Sequence, residues 1–317
     1  MRYRLLGRTD LNVSELAFGA SPLGSVFGAF AEQDGIAAVR TALDAGINFF
    51  DVAPYYGATA AETVLGRALR GVDRGTYLLA SKVGRDGRAD FDFSARRVKR
   101  SVTESLRRLG TAHLDLIQCH DIEFGHPTQI VEETVPALRE LQSEGLVRHV
   151  GITGYPLPEL AQLAVRAGVD TVLSYCQYTL HDRRLAAWEE RFREWGVGVI
   201  NASPLAMGAL TRRGAPDWHP GSFGFHTRCA EAADACEVVG GDLAKLALQF
   251  SAQTTPAATT VIGTSSSEEV RRNVACLTET IDQELLVAVE TCLAPVRDQG
   301  WTSGPAAEQD LRREGRL

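Results

Sequence analysis

The sequence predicts an α/β fold, a closed (β/α)8 TIM barrel preceded by an N-terminal β-hairpin. Three observations carry this expectation. Short apolar runs alternate with amphipathic stretches along the whole chain, a β-then-α rhythm that implies parallel strands joined by right-handed crossovers. The runs number eight, which is the count that closes a barrel. Polar residues recur at the C-terminal ends of nearly all of them, and no GxGxxG follows the first, which disfavours an open doubly wound sheet.

The elements follow in order. "YRLLGRT" and "NVSELAFG" read as the hairpin. The strand candidates are Leu16–Gly19, Asn48–Asp51, Tyr77–Lys82, Leu114–His120, Arg148–Thr153, Val172–Gln177, Val197–Ala202 and Thr259–Gly263. Between them run helical stripes: Ile36, Val39 and Leu43 before Gly46, then Val64, Leu65, Ala68 and Leu69 before Gly71. Further stripes are Val98, Val102, Leu106 and Leu109 before Gly110, Leu160, Leu163 and Ala167 before Gly168, and Leu185, Trp188, Phe192 and Trp195 before Gly196. A glycine at each end suits the left-handed residue that terminates a helix. Arg212–Arg228, rich in Gly, Pro and aromatics, reads as an insertion loop. The length of 317 residues fits one large barrel with insertions. Residues 1–317 are therefore expected to be a single domain, with flexibility confined to the tail after about residue 304.

Charge and composition narrow the partners. A net charge of −7 and a pI near 5.6 argue against nucleic acid or an anionic membrane, which select clustered Lys and Arg. The one basic run, Arg96–Arg100, lies in a helical pattern and reads as a solvated face. The six cysteines are scattered, with no CxxC spacing to suggest a metal site, and read as reduced packed thiols. No leader opens the chain and no apolar run approaches the ~18–20 residues of a membrane span, so the cytoplasm is the expected location. A small-molecule partner remains; oligomeric state is open.

In a barrel the site forms at the C-terminal rim. There Asp51 ends the second run, Lys82 the third and His120 the fourth, while Tyr56 follows Asp51 in the loop above. Alone, a strand-end Asp, Lys or His is usually a solvated bystander. Together they have a chemical logic. A phenol of pKa ~10 is a poor base near neutrality, and a neighbouring ammonium favours the phenolate. Lys82 supplies that charge, Asp51 holds Lys82 and keeps it protonated, and His120 orients the substrate oxygen or passes the proton. Aromatic and acidic side chains on the rim loops, namely Phe27, Tyr55, Asp121, Phe124, Trp218 and Trp301, are the substrate candidates, since ring faces suit C–H surfaces and a carboxylate suits hydroxyls.

The Asp, Tyr, Lys, His set in "DVAPYYG", "LLASKVG" and "LIQCHD" resembles the aldo-keto reductase superfamily. "GASPLGSVFG", "CHDIEFG", "LSYCQY", "ASPLAMGAL", "DWHP" and "APVRDQGWTSG" are similar to its L-galactose dehydrogenase branch, from Arg2 almost to Gly304. The resemblance implies oxidation of an aldopyranose such as L-galactose or L-fucose at C1 to a lactone, with hydride passing to a nicotinamide cofactor and the proton to Tyr56. It also implies carboxamide contacts from Thr153 and Gln177, and a pyrophosphate-wrapping loop at Ser203, Leu205, Gly208 and Leu210. The adenosine end falls on Gly263, Thr264, Ser265, Glu269 and Asn273, the first three opening a helix whose N–H groups suit phosphate.

Departures accompany the resemblance. Ala202 stands where many members offer a ring to stack on nicotinamide, and Thr153–Gly154 replaces a commoner Ser–Asn pair. Thr264 and Glu269 occupy positions that NADP-using members fill with basic groups, which favours NAD, although Arg271 and Arg272 nearby keep NADP open. Two further readings stand beside the sugar dehydrogenase. One is an NADPH-dependent reductase of aldehydes or ketones; the other is a cofactor-binding regulatory subunit.

Overall fold

A computed structural model describes residues 1–304 of the chain. The expected tail after about residue 304 lies outside the described residues. Among the described residues ten strands are formed. β1 (Tyr3–Leu5) and β2 (Asn12–Ser14) pair antiparallel as the hairpin. The other eight are β3 (Leu16–Gly19), β4 (Phe49–Asp51), β5 (Leu78–Val83), β6 (Leu114–Cys119), β7 (Val147–Gly154), β8 (Thr171–Tyr175), β9 (Gly198–Ala202) and β10 (Thr259–Gly263). They pair in parallel in chain order, and β10 returns to β3 to close the barrel.

Alternation along the strands divides the interior into two cores. Phe18, Phe50, Leu79, Ile117, Val150 and Val172 face outward into the layer under the helices. Ala17, Phe49, Ala80, Leu116, Leu173, Ile200 and Val261 face the barrel axis, where Leu6, Leu11 and Val13 of the hairpin join them. The hairpin therefore plugs the barrel floor. Gly7 makes the fit possible: a Cβ there would lie 2.3 Å from the Gly198 backbone nitrogen, so only glycine lets the turn seat against β9.

The helical stripes form helices over Glu32–Asp44, Ala60–Leu69, Ala95–Leu109 and Leu157–Ala167, and a short 3-10 turn at Arg184–Trp188 leads into Glu189–Trp195. Gly110 and Gly168 end two of these in the left-handed region, at φ 68° and 61°.

Two expectations change. The segment Arg212–Arg228 is not all loop: from Phe223 it is the first part of a helix, Phe223–Val238, capped by Ser222, whose hydroxyl accepts from the Phe225 N–H at 3.1 Å. The sixth barrel strand stops at Tyr175, because Cys176 turns into the left-handed region at φ 61° and leaves Gln177 in the loop. Among the described residues no helix is long and apolar enough to cross a membrane.

Candidate active site

Period-two alternation also aims the rim. Asp51 lies two residues after inward-facing Phe49, Lys82 two after Ala80, and His120 follows Leu116 and Gln118 on the same face. Register brings them level, with Asp51 opposite Ala80 and Lys82 opposite Gln118. All three side chains are buried, and Tyr56 is half-buried on the loop above β4.

The four predicted residues meet. The Lys82 ammonium is ion-paired with Asp51, donates to Val52 O at 3.1 Å and to the Tyr56 hydroxyl at 3.2 Å, and lies 4.9 Å from the Tyr56 ring centroid. His120 sits edge-on to Tyr56, with ring centroids 5.7 Å apart. Sequence reasoning missed one member, Gln118, whose amide donates to the second Asp51 oxygen at 3.0 Å. Its signal was a polar residue on an inward-facing position of an otherwise apolar strand.

Electrostatics follow from this packing. Desolvation works against the Lys82 cation, but Asp51 and then Tyr56 outweigh it and hold its pKa above the ordinary value. Desolvation pushes His120 down to about 3, with Lys82 and Arg85 adding to it against Asp121, so the imidazole is neutral near pH 7. Its Nδ1 is buried with no partner among the described residues. For Tyr56 the outcome differs from the expectation that Lys82 would lower its pKa. Lys82 does act in that direction, but desolvation is larger and Asp51 opposes it, so the phenol lies above its usual value.

Of the substrate candidates, Tyr55, Asp121 and Phe124 gather around Arg85, the first two beside His120. Tyr55 is edge-on to it at 5.9 Å, and Asp121 is ion-paired with Arg85, whose guanidinium covers the Tyr55 ring at 3.9 Å. Phe124 stacks on Phe91 at 4.4 Å. The others form two further groups. Phe27 packs on Trp218 at 5.7 Å, and Trp301 stacks on Tyr155 at 4.8 Å with its edge toward His219. A cavity of about 520 Å³ opens beside Trp301 and Gln177. Arg85 and Tyr155 are rim residues that the sequence did not single out.

The cofactor candidates line the ends of β7 to β10. Thr153 is buried and its hydroxyl accepts from the Asp121 N–H at 2.9 Å; Gln177 accepts from Ser174 at 2.8 Å, which fixes its amide. Ser203, Ala206 and Met207 all adopt positive φ, so Ser203–Leu210 is a strained turn of the kind that persists only where its surroundings over-determine it. Within it the Gly208 and Leu210 N–H groups both donate to Leu205 O, and the Leu210 side chain is in the core. These amides, expected to wrap a pyrophosphate, are engaged inside the loop.

The last segment differs from expectation. Gly263, Thr264 and Ser265 do not open the helix, which spans Ser267–Ala275 and is capped by Ser266, whose hydroxyl accepts from Glu269 N–H. Thr264 donates to the Glu269 carboxylate, and Asn273 lies half-buried on the same helix. The Thr153 hydroxyl, the fixed Gln177 amide, an unpaired imidazole nitrogen and a strained loop along one side of the rim fit an elongated polar cofactor.

Comparison with known proteins agrees with this architecture. A family model described as "Aldo/keto reductase family" matches residues 15–294. The chain is 47% identical over 310 residues to L-galactose dehydrogenase of Arabidopsis thaliana, covering 95% of this chain and 97% of that protein. It is 34% identical to D-arabinose 1-dehydrogenase of Saccharomyces cerevisiae, over 74% of this chain and 73% of the relative. The solved holo form of an aldo-keto reductase from Bacillus halodurans superposes with a TM-score of 0.77 at 30% identity, covering 96% of this chain and 98% of that one. The chain therefore belongs to the aldo/keto reductase family of oxidoreductases.

Proposed function

We propose that the protein oxidises an aldose at C1 to its lactone, with L-galactose or a related sugar such as L-fucose as substrate and NAD as hydride acceptor. One observation carries the reading: a buried, carboxylate-held ammonium touches the hydroxyl of a half-buried tyrosine beside a neutral imidazole. Two relatives named as sugar 1-dehydrogenases or as L-galactose dehydrogenase support the substrate class.

In this reading Tyr56 takes the proton of the C1 hydroxyl. Lys82 is the group that favours its phenolate, and Asp51 with Gln118 keeps Lys82 in place. His120, being neutral, donates or accepts a hydrogen bond to the substrate oxygen without competing for charge. Thr153, Gln177 and the loop Ser203–Leu210 would hold the nicotinamide dinucleotide, which supplies the hydride acceptor when bound. Glu269 next to Thr264 repels a ribose 2′-phosphate and so favours NAD. The closed barrel supports taking residues 1–317 as one domain, and the free cysteines support a cytoplasmic location.

A second reading is favoured by one observation. Burial keeps the Tyr56 proton in place, which suits donation to a carbonyl and hence reduction of aldehydes or ketones with NADPH. A panel of aldoses with NAD, run beside a panel of aldehydes with NADPH, decides. Sugar-dependent NADH formation supports the dehydrogenase, and activity confined to carbonyl reduction overturns it.

A further inference from the structure

We propose that Arg85 and Asp121 form a charge-compensated pair that reads sugar hydroxyls and selects uncharged sugars over sugar acids and sugar phosphates. The inference rests on the sugar-oxidising reading of the same site.

Arg85 stands three residues beyond Lys82, just past the end of β5, and Asp121 directly follows His120. Their ion pair is sheltered, with side chains 15% and 7% exposed, and the carboxylate oxygen that pairs with Arg85 is 3.8 Å from His120 Nε2. The pair therefore borders the imidazole that the mechanism aims at the reacting oxygen. Its geometry is locked. The guanidinium carbon lies over the Tyr55 ring, 3.9 Å from its centroid, with Phe91 and Phe124 at 5.3 and 5.5 Å, and Asp121, at φ 53°, is tied by the bond from its N–H to Thr153.

Neither partner is saturated. Arginine carries five N–H donors, and the hydrogen bond recorded for Arg85 among the described residues uses one of them; its Nε is buried without a partner. Among the described residues the other Asp121 oxygen meets the Thr153 hydroxyl alone, at 3.5 Å, too long to satisfy a carboxylate. Spare donors beside a spare acceptor complement vicinal hydroxyls, each of which gives one hydrogen and accepts two. An isolated arginine would draw anions. Paired with Asp121 its charge is cancelled, so an approaching anion gains no net attraction to repay its lost hydration, whereas a neutral hydroxyl keeps both hydrogen bonds. A clamp serving only to brace Tyr55 would show no such discrimination.

The test is equilibrium titration of the protein–NADH complex with L-galactose and with L-galacturonate, alongside their turnover with NAD. The wild-type complex is expected to bind the neutral sugar at least about tenfold more tightly. Asp121→Asn uncovers the guanidinium and should shift that ratio toward the uronate by about tenfold, whereas Arg85→Met leaves the carboxylate alone and should shift it the other way. General damage to the site would weaken both ligands alike. Equal or tighter wild-type binding of the uronate, which needs no variant to measure, overturns the proposal, as do ratios that move in the same direction in both variants. If binding discriminates as expected but no sugar is oxidised, the fault lies in the catalytic reading and not in the pair.

Discussion

Lys82 donates to the Tyr56 hydroxyl at 3.2 Å from inside the barrel, across the β4–β5 boundary, with its charge balanced by Asp51. This contact sets a contest. Burial raises the Tyr56 pKa, and Lys82 is the group that lowers it. Oxidation requires the unprotonated phenol, so the rate of sugar oxidation should climb as pH rises from neutrality. Substituting Tyr56→Phe should remove the proton acceptor and lower kcat by ~10²–10⁴-fold while leaving cofactor affinity nearly unchanged. Steady-state kinetics with a fluorescence titration of NADH checks both, and a variant that retained wild-type turnover would refute the assignment.

Asp51→Asn should be costly in two ways. It leaves the Lys82 ammonium buried without its counter-charge, and removing one partner of a buried pair costs about 3–5 kcal/mol. It also weakens the hold on Lys82 and so lowers kcat. Denaturant unfolding should show a lower midpoint with an unchanged slope, and a midpoint equal to wild type would mean that water already screens the pair.

Glu123 offers a pH signature of the rim. Desolvation first, then the neighbouring Asp121 charge, push its carboxyl up to about 7, while Ser303 and the Tyr155 N–H bond to one of its oxygens. The folded value is above that of the unfolded chain, so the stability this group contributes is fully present below the unfolded pKa and is lost as pH rises through about 7. Glu123→Gln keeps the acceptor oxygen and removes the titration. Its stability relative to wild type should improve between pH 5 and pH 8 by on the order of 1–3 kcal/mol, read from thermal melts across that range. A gap independent of pH would contradict the expectation.

Glu269 tests cofactor choice. Its carboxylate accepts from Thr264, and in the proposed reading that is where a ribose phosphate would approach. Glu269→Gln should raise the ratio of kcat/KM for NADP over NAD by about tenfold, since relieving one like-charge contact is worth a kcal/mol or more. An unmoved ratio would place the discrimination elsewhere, at Arg271 or Arg272.

Much of this was legible in the chain because the barrel imposes short periods. Strands two-fold in pattern and helices ending at Gly110 or Gly168 can be read locally, and Asp51, Lys82 and His120 fall at predictable strand ends. What escaped depended on distant partners or on weak patterning. The helix Phe223–Val238 mixes alanine, cysteine and aromatics so evenly that no apolar stripe emerges, and its start is masked by the Gly- and Pro-rich loop before it. Arg85 sits in a loop with no period, and its role comes from Tyr55 and Asp121, far away in sequence. The pKa of Tyr56 turned on burial, which residue types alone do not weigh against a nearby cation.

The hairpin wedged into the base of the barrel has a kinetic meaning as well. With Leu6, Leu11 and Val13 fully buried in the axial core at the lower end, the described residues leave the upper mouth as the open end of the barrel. In the proposed reading sugar and dinucleotide would share that one doorway, and whichever enters second would have to pass the first.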